Sequence, residues 1–364
     1  MGIAHKRKAK RSMKIALMTI WHVKNYGAEL QTYATVKTLQ EMGHEVCVID
    51  FPLFETQKRT TLVGRILDFA HSIAPANLKF KCFWKRHIPA TKYYGTYNEL
   101  KNEIPKADLY LMGSDQVWNP EITKEKVLAY FLDFLPEGKQ MASYASSFGT
   151  DQWNASEELT QRVQELLNQF KAVACREKQG IDILKKQFSI NATHVVDPTL
   201  LRTNYEELIG KTKTRKTLAY YQLSSSPALY SFAESKAKAL GLKFVDVNKK
   251  TNLTSTFTWN RRSVEQWIKA IAESSFVITH SFHGVAMCLV HHRPFVAIYE
   301  SGNKISRLVS LLKIAGLEDR LFTSIEDAKA SNVWYKDINW NKVDTLLKEQ
   351  REKSLEYLRT ITKE

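Results

Sequence analysis

The stretch Phe276-Val-Ile-Thr-His-Ser-Phe-His-Gly-Val-Ala-Met-Cys-Leu-Val-His-His-Arg-Pro-Phe-Val-Ala-Ile-Tyr299 limits the folds open to this chain more than any other. Phe276 to Ile278 is short, apolar and rich in residues that favour pleated backbone, and a polar turn separates it from the apolar run Val285 to Val290. A second apolar run ends at Tyr299. The order strand, turn, buried helix, strand implies a parallel sheet. Polar residues at the carboxyl end of such a strand, beside a helix N-terminus, stand where open α/β sheets bind ligands. The free N–H groups and the positive dipole end there favour an anion. Ser281, His283 and Gly284 occupy this position. His283 is therefore a candidate for carrying charge or moving a proton near neutral pH, although the same position also suits a satisfied structural histidine.

The same rhythm runs through the rest of the chain. Lys14 to Thr19 reads as a strand, Trp21 to Gly27 as a loop, Ala28 to Met42 as a helix ended by Gly43, and His44 to Asp50 as a second strand. The glycine spacing is not GxGxxG, so no dinucleotide fingerprint is present. Asn25, Tyr26, Gly27 and Gln31 lie at the strand end and helix start, a binding position, although Gly27 also serves as a simple turn residue. Asp108 to Gly113 is another strand, followed by a polar turn that carries Asp115 and Trp118. Phe131 to Phe134 and Gln140 to Ser146 are short strand candidates. Lys171 to Glu177 brings Arg176 to a strand end, and Thr193 to Val196 leads into Asp197-Pro-Thr199. The ends of parallel strands share one edge, which predicts that Asn25, Tyr26, Asp115, Ser146, Ser147 and Arg176 gather there.

After a Lys/Thr-rich linker from Asn204 to Arg215 the alternation restarts, with strands Thr217 to Leu223 and Lys243 to Val247 and helices Ser226 to Leu240 and Ser263 to Glu273. The opening motif follows, then a helix from Lys304 to Leu312 that carries Arg307. The expected organisation is a first α/β domain over 13–203, a second over 204–340, and a C-terminal segment 341–364 whose helix packs back toward the first domain. Segment 51–97 interleaves basic and aromatic side chains, and reads as a lid that meets the acceptor or an anionic membrane interface.

Composition excludes more than it assigns. The 364 residues suffice for two domains, and no apolar run approaches the ~20 residues of a membrane span. The net charge of +15 favours polyanions, anionic membrane or a phosphorylated small substrate. Five of those charges, Lys6, Arg7, Lys8, Lys10 and Arg11, lie in the tail 1–12, which has no signal-peptide pattern and is set aside. No recognition helix, zinc finger or aromatic RNA-binding signature is present, so nucleic acid is not an expected partner. Cys47, Cys82, Cys175 and Cys288 form no CxxC pair and have no histidine at ligand spacing. They read as small hydrophobes of a reducing compartment, which predicts a cytoplasmic protein without a metal.

Six motifs in order carry a further signal: Asn25-Tyr-Gly-Ala-x-Leu-Gln31, Gly113-Ser-Asp-Gln-Val-Trp-Asn119, Ser147-Phe-Gly149, Arg176-Glu-Lys178, Val196-Asp-Pro-Thr-Leu200 and Ser281-Phe-His-Gly284. Together they resemble the polysaccharide pyruvyl transferase family over nearly the whole chain after Met13. The resemblance implies a GT-B-like fold, two Rossmann-like domains whose parallel sheets face a central cleft. It implies transfer of the pyruvyl unit of phosphoenolpyruvate onto two hydroxyls of a sugar, with formation of a cyclic ketal and release of phosphate. The implied acceptor is a saccharide or lipid-linked saccharide of a surface polysaccharide, an exopolysaccharide or capsule, met at the inner face of the cell membrane.

The family's donor-site arginine and histidine fall on Arg176 and His283, and an acidic residue near the donor falls on Asp115. These three are the catalytic candidates. Ser281, Gly284, Arg176 and Arg307 are the donor-binding candidates, and Asn25, Tyr26, Gly27, Gln31 and Trp118 the acceptor-binding ones. Phe282 stands where many relatives carry a basic residue, so Arg307 or Arg293 is expected to supply a second cation for the phosphate. No cofactor is required, and no Asp-x-Asp cluster is present to hold a metal. Two competing readings remain at this level: a glycosyltransferase of the same architecture using a nucleotide sugar, and a non-catalytic glycan- or lipid-binding relative.

Overall fold

The computed structural model describes residues 12–53, 61, 65, 74–224, 226–248, 261–300 and 305–363. The first sheet contains β1 (Lys14–Met18), β2 (Glu45–Asp50), β3 (Ala90–Tyr93), β4 (Leu109–Met112) and β5 (Met141–Ser143), all parallel, in the order β3-β2-β1-β4-β5. β6 (Ala174–Cys175) and β7 (Thr193–His194) lie beside β5 through the parallel bridges Ala142–Ala172 and Ser146–Cys175. The second sheet contains β8 (Arg215–Tyr221), β9 (Lys243–Asp246), β10 (Ser274–Thr279), β11 (Phe295–Ile298) and β12 (Leu321–Phe322), again all parallel, in the order β12-β11-β10-β8-β9. Every residue of β4 and of β11 is buried, the mark of strands covered by helices on both faces.

The helices that position the site are α1 (Tyr26–Glu41), α2 (Pro75–His87), α3 (Glu157–Leu167), α4 (Lys178–Phe188), α5 (Pro227–Ala239), α6 (Val264–Ala272), α7 (Phe282–Val290), α8 (Ser306–Ala315) and α9 (Trp340–Ile361). Their starts follow side-chain capping. Asn25 accepts from the Gly27 and Ala28 N–H groups at the head of α1, and Ser263 with Gln266 forms a capping box at the head of α6. The strand order reverses between β1 and β4 in one sheet and between β8 and β10 in the other. A crevice outside the carboxyl ends of the strands is the binding position at such a reversal.

The two halves are joined by aromatic packing and by α9. Tyr26 of α1 stacks on Trp267 of α6 with centroids 5.4 Å apart, and on Phe80 of α2 at 5.5 Å. Its hydroxyl donates to the Arg262 carbonyl at 3.1 Å. Further along, α9 accepts from the Val196 N–H at Ser354 Oγ (3.0 Å) and donates from the Tyr357 hydroxyl to the Ser143 carbonyl (2.8 Å). Val343, Leu347, Leu358 and Ile361 are the buried apolar residues of that helix, each contributing about 1.5–3 kcal/mol by leaving water.

Two local expectations fail. Phe131 to Phe134 forms no strand: Lys124–Phe131 is a 3₁₀ stretch, and Phe131 lies flat on Trp118 with centroids 5.5 Å apart. A short apolar run is compatible with either state until its packing partner is known. α7 begins at Phe282, two residues before Gly284, because Ser281 caps it, so His283 belongs to the first helical turn. In segment 51–97, residues 54–60, 62–64 and 66–73 lie outside the described residues, as does the tail 1–11. The described remainder includes α2, with Phe80 and Phe83 buried, and the edge strand β3. Among the described residues no helix is long and apolar enough to cross a membrane.

Candidate active site

The head of α7 is built on close approach. Thr279 Oγ1 accepts from the Ser281 N–H at 3.1 Å, and Ser281 Oγ accepts from the Gly284 N–H at 3.4 Å. A Cβ at Gly284 would fall 2.5 Å from Thr279 Oγ1, so only glycine lets the helix start this near its strand. His283 is 8% exposed. Its Nε2 lies 3.7 Å from Asp197 Oδ2, a charge contact too long for a hydrogen bond. Its Nδ1 abuts α1, where a Cβ added to Gly27 would fall 2.0 Å away. The first turns of α1 and α7, one from each strand-order reversal, therefore meet at a glycine and a histidine.

Behind this contact lies a buried charge cluster. Arg176 donates from Nη1 to Asp197 Oδ2 at 2.7 Å and from Nη2 to Asp115 Oδ1 at 2.8 Å. Its Nε has no hydrogen-bond partner and faces Glu177 Oε2 at 3.7 Å. Asp197 Oδ1 accepts from the Thr199 N–H (3.0 Å) and hydroxyl (2.7 Å), and Glu177 Oε1 accepts from the Phe148 N–H (3.1 Å). Burial alone would push the carboxyl pKa values up. For Asp197 the His283 ring, the Arg176 guanidinium and the Thr199 hydroxyl outweigh burial and hold it far below the ordinary range. For Asp115, Arg176, His283 and Arg307 lower the pKa despite burial, and the opposing carboxylates raise the Arg176 pKa despite its burial. The three groups are ionised at neutral pH. Asp115 has φ 69°, a left-handed backbone that costs a non-glycine residue about 1 kcal/mol or more and that aims its side chain at Arg176.

A cavity of about 540 Å³ opens in front of the cluster, with Asn25, Asp115, Ser281, His283, His280 and Arg307 among its lining residues. Arg307 projects from the first turn of α8, and its Nε has no partner among the described residues. Burial, and then the nearby Arg176, lower its pKa. A guanidinium desolvated beside another cation gains from an arriving anion.

The structure distributes the remaining sequence candidates unevenly. Arg176 is walled off: its side chain is 0% exposed, and Phe282 covers the guanidinium at 4.9 Å. Asn25 lines the cavity as the cap of α1, and Gly27 lies behind it as the close-approach site for the His283 ring. Tyr26 is committed to the stack between the two halves. Gln31 is fully buried, accepting from Ser114 Oγ at 2.6 Å and donating to Thr19 Oγ1 at 3.0 Å, and so ties the ends of β1 and β4 together. Trp118 is also fully buried and donates to the Tyr130 carbonyl at 3.1 Å. Arg293 lies beyond the far end of α7 and bonds Thr214. Sequence reasoning passed over Asp197 as a site residue. Its signal was visible: an Asp-Pro-Thr turn at the end of a strand, on the same edge as Arg176 and Asp115.

The arrangement offers an anion the Arg307 guanidinium and the first N–H groups of α7, and gives a proton held on His283 the Asp197 counter-charge. Among solved structures, the chain is similar to one described as a UDP-N-acetylglucosamine 2-epimerase from Listeria monocytogenes, with 12% identity, a TM-score of 0.52 and 96% of both chains covered. A second UDP-N-acetylglucosamine 2-epimerase gives 12% identity, 96% of both chains and a TM-score of 0.46. An α-glucosyltransferase in complex with UDP gives 9%, 95% of both chains and 0.44. The first of these establishes a likeness of fold: two Rossmann-like halves facing a cleft, the GT-B arrangement. A search of curated proteins gives no match. The model of one family, polysaccharide pyruvyl transferase, matches residues 25–302, a span from the Asn25 cap of α1 through the Ser281-Phe-His-Gly284 head of α7. The chain belongs to the polysaccharide pyruvyl transferase family.

Proposed function

We propose that the protein transfers the pyruvyl unit of phosphoenolpyruvate onto two hydroxyls of a sugar in a surface polysaccharide or its lipid-linked precursor, forming a ketal and releasing phosphate. The observation that carries this reading is the pairing of a guanidinium whose Nε has no partner among the described residues, Arg307, with a histidine backed by an ionised carboxylate, His283 and Asp197, in one cavity. The donor needs cationic and N–H contacts for its phosphate and carboxylate, and a proton delivered to its methylene carbon. Arg307 and the head of α7 hold the anion. His283 delivers the proton, and the cation formed at the adjacent carbon is captured by a sugar hydroxyl. The second hydroxyl then displaces phosphate. Of the two hydroxyl protons released, one balances the proton taken up by carbon and the other leaves with phosphate. Asp115, held ionised, is a weak base and serves to orient an acceptor hydroxyl. Arg176 acts as a positioning residue that locks Asp115 and Asp197 in place.

The test is phosphate release from phosphoenolpyruvate in the presence of a glycan acceptor, with the ketal detected on the glycan by mass spectrometry. Turnover of a nucleotide sugar in place of phosphoenolpyruvate would overturn the reading in favour of a glycosyltransferase.

A further inference from the structure

A second concavity, of about 750 Å³, shares no lining residue with the catalytic cavity and lies between α2 and the second sheet, with Lys79, Arg215, Lys243, Arg262 and Lys269 among its lining residues. β8 and β9 supply Arg215 and Thr217, and Lys243 and Val245, at alternate positions and hence from one face of the sheet. α6 adds Gln266 and Lys269, and α2 adds Lys79. The lining contains five cations and one carboxylate, Glu273, which bonds Arg215 at 2.8 Å and lies 3.9 Å from Lys269. Lys243 and Arg262 have no ion pair among the described residues. Unneutralised cations in a concave surface concentrate anions.

We propose that this groove binds an anionic glycan chain, so that the acceptor is a carboxylate- or phosphate-bearing polymer gripped outside the catalytic cavity. Three observations favour that occupant. Among the described residues the lining has no aromatic side chain, so nucleic-acid bases find nothing there to stack on. Those residues include no large apolar side chain to enter a bilayer, and a flat membrane would touch only the rim of the groove. The groove is linked to the catalytic cavity through one side chain: the Arg262 carbonyl of its lining accepts from Tyr26, whose chain neighbour Asn25 lines the cavity. The inference rests on the proposed reaction for its substrate class. Each pyruvyl ketal leaves a free carboxylate on the chain, so glycan that has already been modified is itself a polyanion.

The experiment titrates the full chain with fluorescein-labelled oligogalacturonate and with neutral maltooligosaccharide of equal length, at low and at physiological salt. Wild type is expected to bind the anionic probe only, more weakly as salt rises. The exposed double variant Lys243→Ala/Lys269→Ala is expected to bind at least about tenfold more weakly with an unchanged unfolding temperature. His283→Ala is expected to bind as wild type, which separates the groove from turnover and lets either proposal fail alone. Equal binding by wild type and double variant, or no binding by wild type, overturns the groove. So does a double-variant loss seen with phosphatidylglycerol vesicles or single-stranded DNA but not with oligogalacturonate.

Discussion

Gly27 and His283 show how little room the site leaves. Gly27 needs no unusual backbone; what forbids a side chain there is the imidazole, 2.0 Å from where a Cβ would stand. Gly27→Ala is expected to displace His283 and lower kcat by about tenfold or more, and an unchanged kcat would remove the contact from the mechanism. His283→Ala should cost roughly 10²–10⁴-fold in turnover, the usual contribution of a positioned acid–base group, with folding retained. Arg307→Ala removes a charge-assisted contact worth about 1.5–3 kcal/mol, so the KM for phosphoenolpyruvate should rise roughly 10–100-fold. Arg176 belongs to a different class of residue. Its replacement by alanine leaves buried carboxylates uncompensated at about 3–5 kcal/mol, and urea unfolding of Arg176→Ala should show the loss directly. The sequence motifs pointed to Arg176 and His283 alike, because both stand at strand ends. Only the buried pairs to Asp115 and Asp197 separate a strut from a group that faces the cavity.

At the scale of elements, two helix heads make the site and an aromatic stack sets their spacing. α1 and α7 each start with a side-chain cap, Asn25 and Ser281, placed by local sequence. Their apposition depends on Tyr26, which lies nearly parallel to the Trp267 ring at an interplanar angle of 7°. Tyr26→Ala is expected to cost about 3–5 kcal/mol in denaturant unfolding, whereas Tyr26→Phe keeps the stack and loses only the bond to Arg262, about 1 kcal/mol. Equal costs for the two variants would show that the hydroxyl, not the ring, holds the halves together. The sequence placed Tyr26 and Trp118 at strand ends as acceptor contacts, and an aromatic ring there fits either binding or packing. Trp118 has Phe131 and Phe148 against it, at centroid distances of 5.5 and 5.4 Å, and those partners come from segments whose arrangement no local period reveals.

The whole molecule carries a pH dependence that opposing buried groups determine. Burial pushes the Glu29 carboxyl up to about 8, although Trp84 Nε1 donates to it. The folded state keeps that proton after the unfolded chain has lost it at about 4.5, so stability falls as pH rises from 4.5 to 8. Burial pushes His280 and His291 down to about 4, with Arg293 and His292 adding to the effect at His291. Below 6.5 the unfolded chain takes up protons that the folded state refuses, so stability also falls as pH drops from 6.5 to 4. Stability should therefore peak near pH ~6.5 and lose roughly 2 kcal/mol by pH ~8. Glu29→Gln should flatten that alkaline limb in denaturant titrations, and an unaltered limb would remove Glu29 as its source. By itself the sequence determined the α/β alternation, the gathering of polar residues at strand ends and the family, because the two- and 3.6-residue periods, caps and ordered motifs are local properties. Tertiary structure alone decided which edge residues face the cavity, that Arg176 pairs with Asp115 across 61 residues, and that Gly27 meets His283. Burial and the choice of a charge partner depend on chain segments far apart in sequence, and those are what turn a polar residue at a strand end into a strut, a cap or a reactive group.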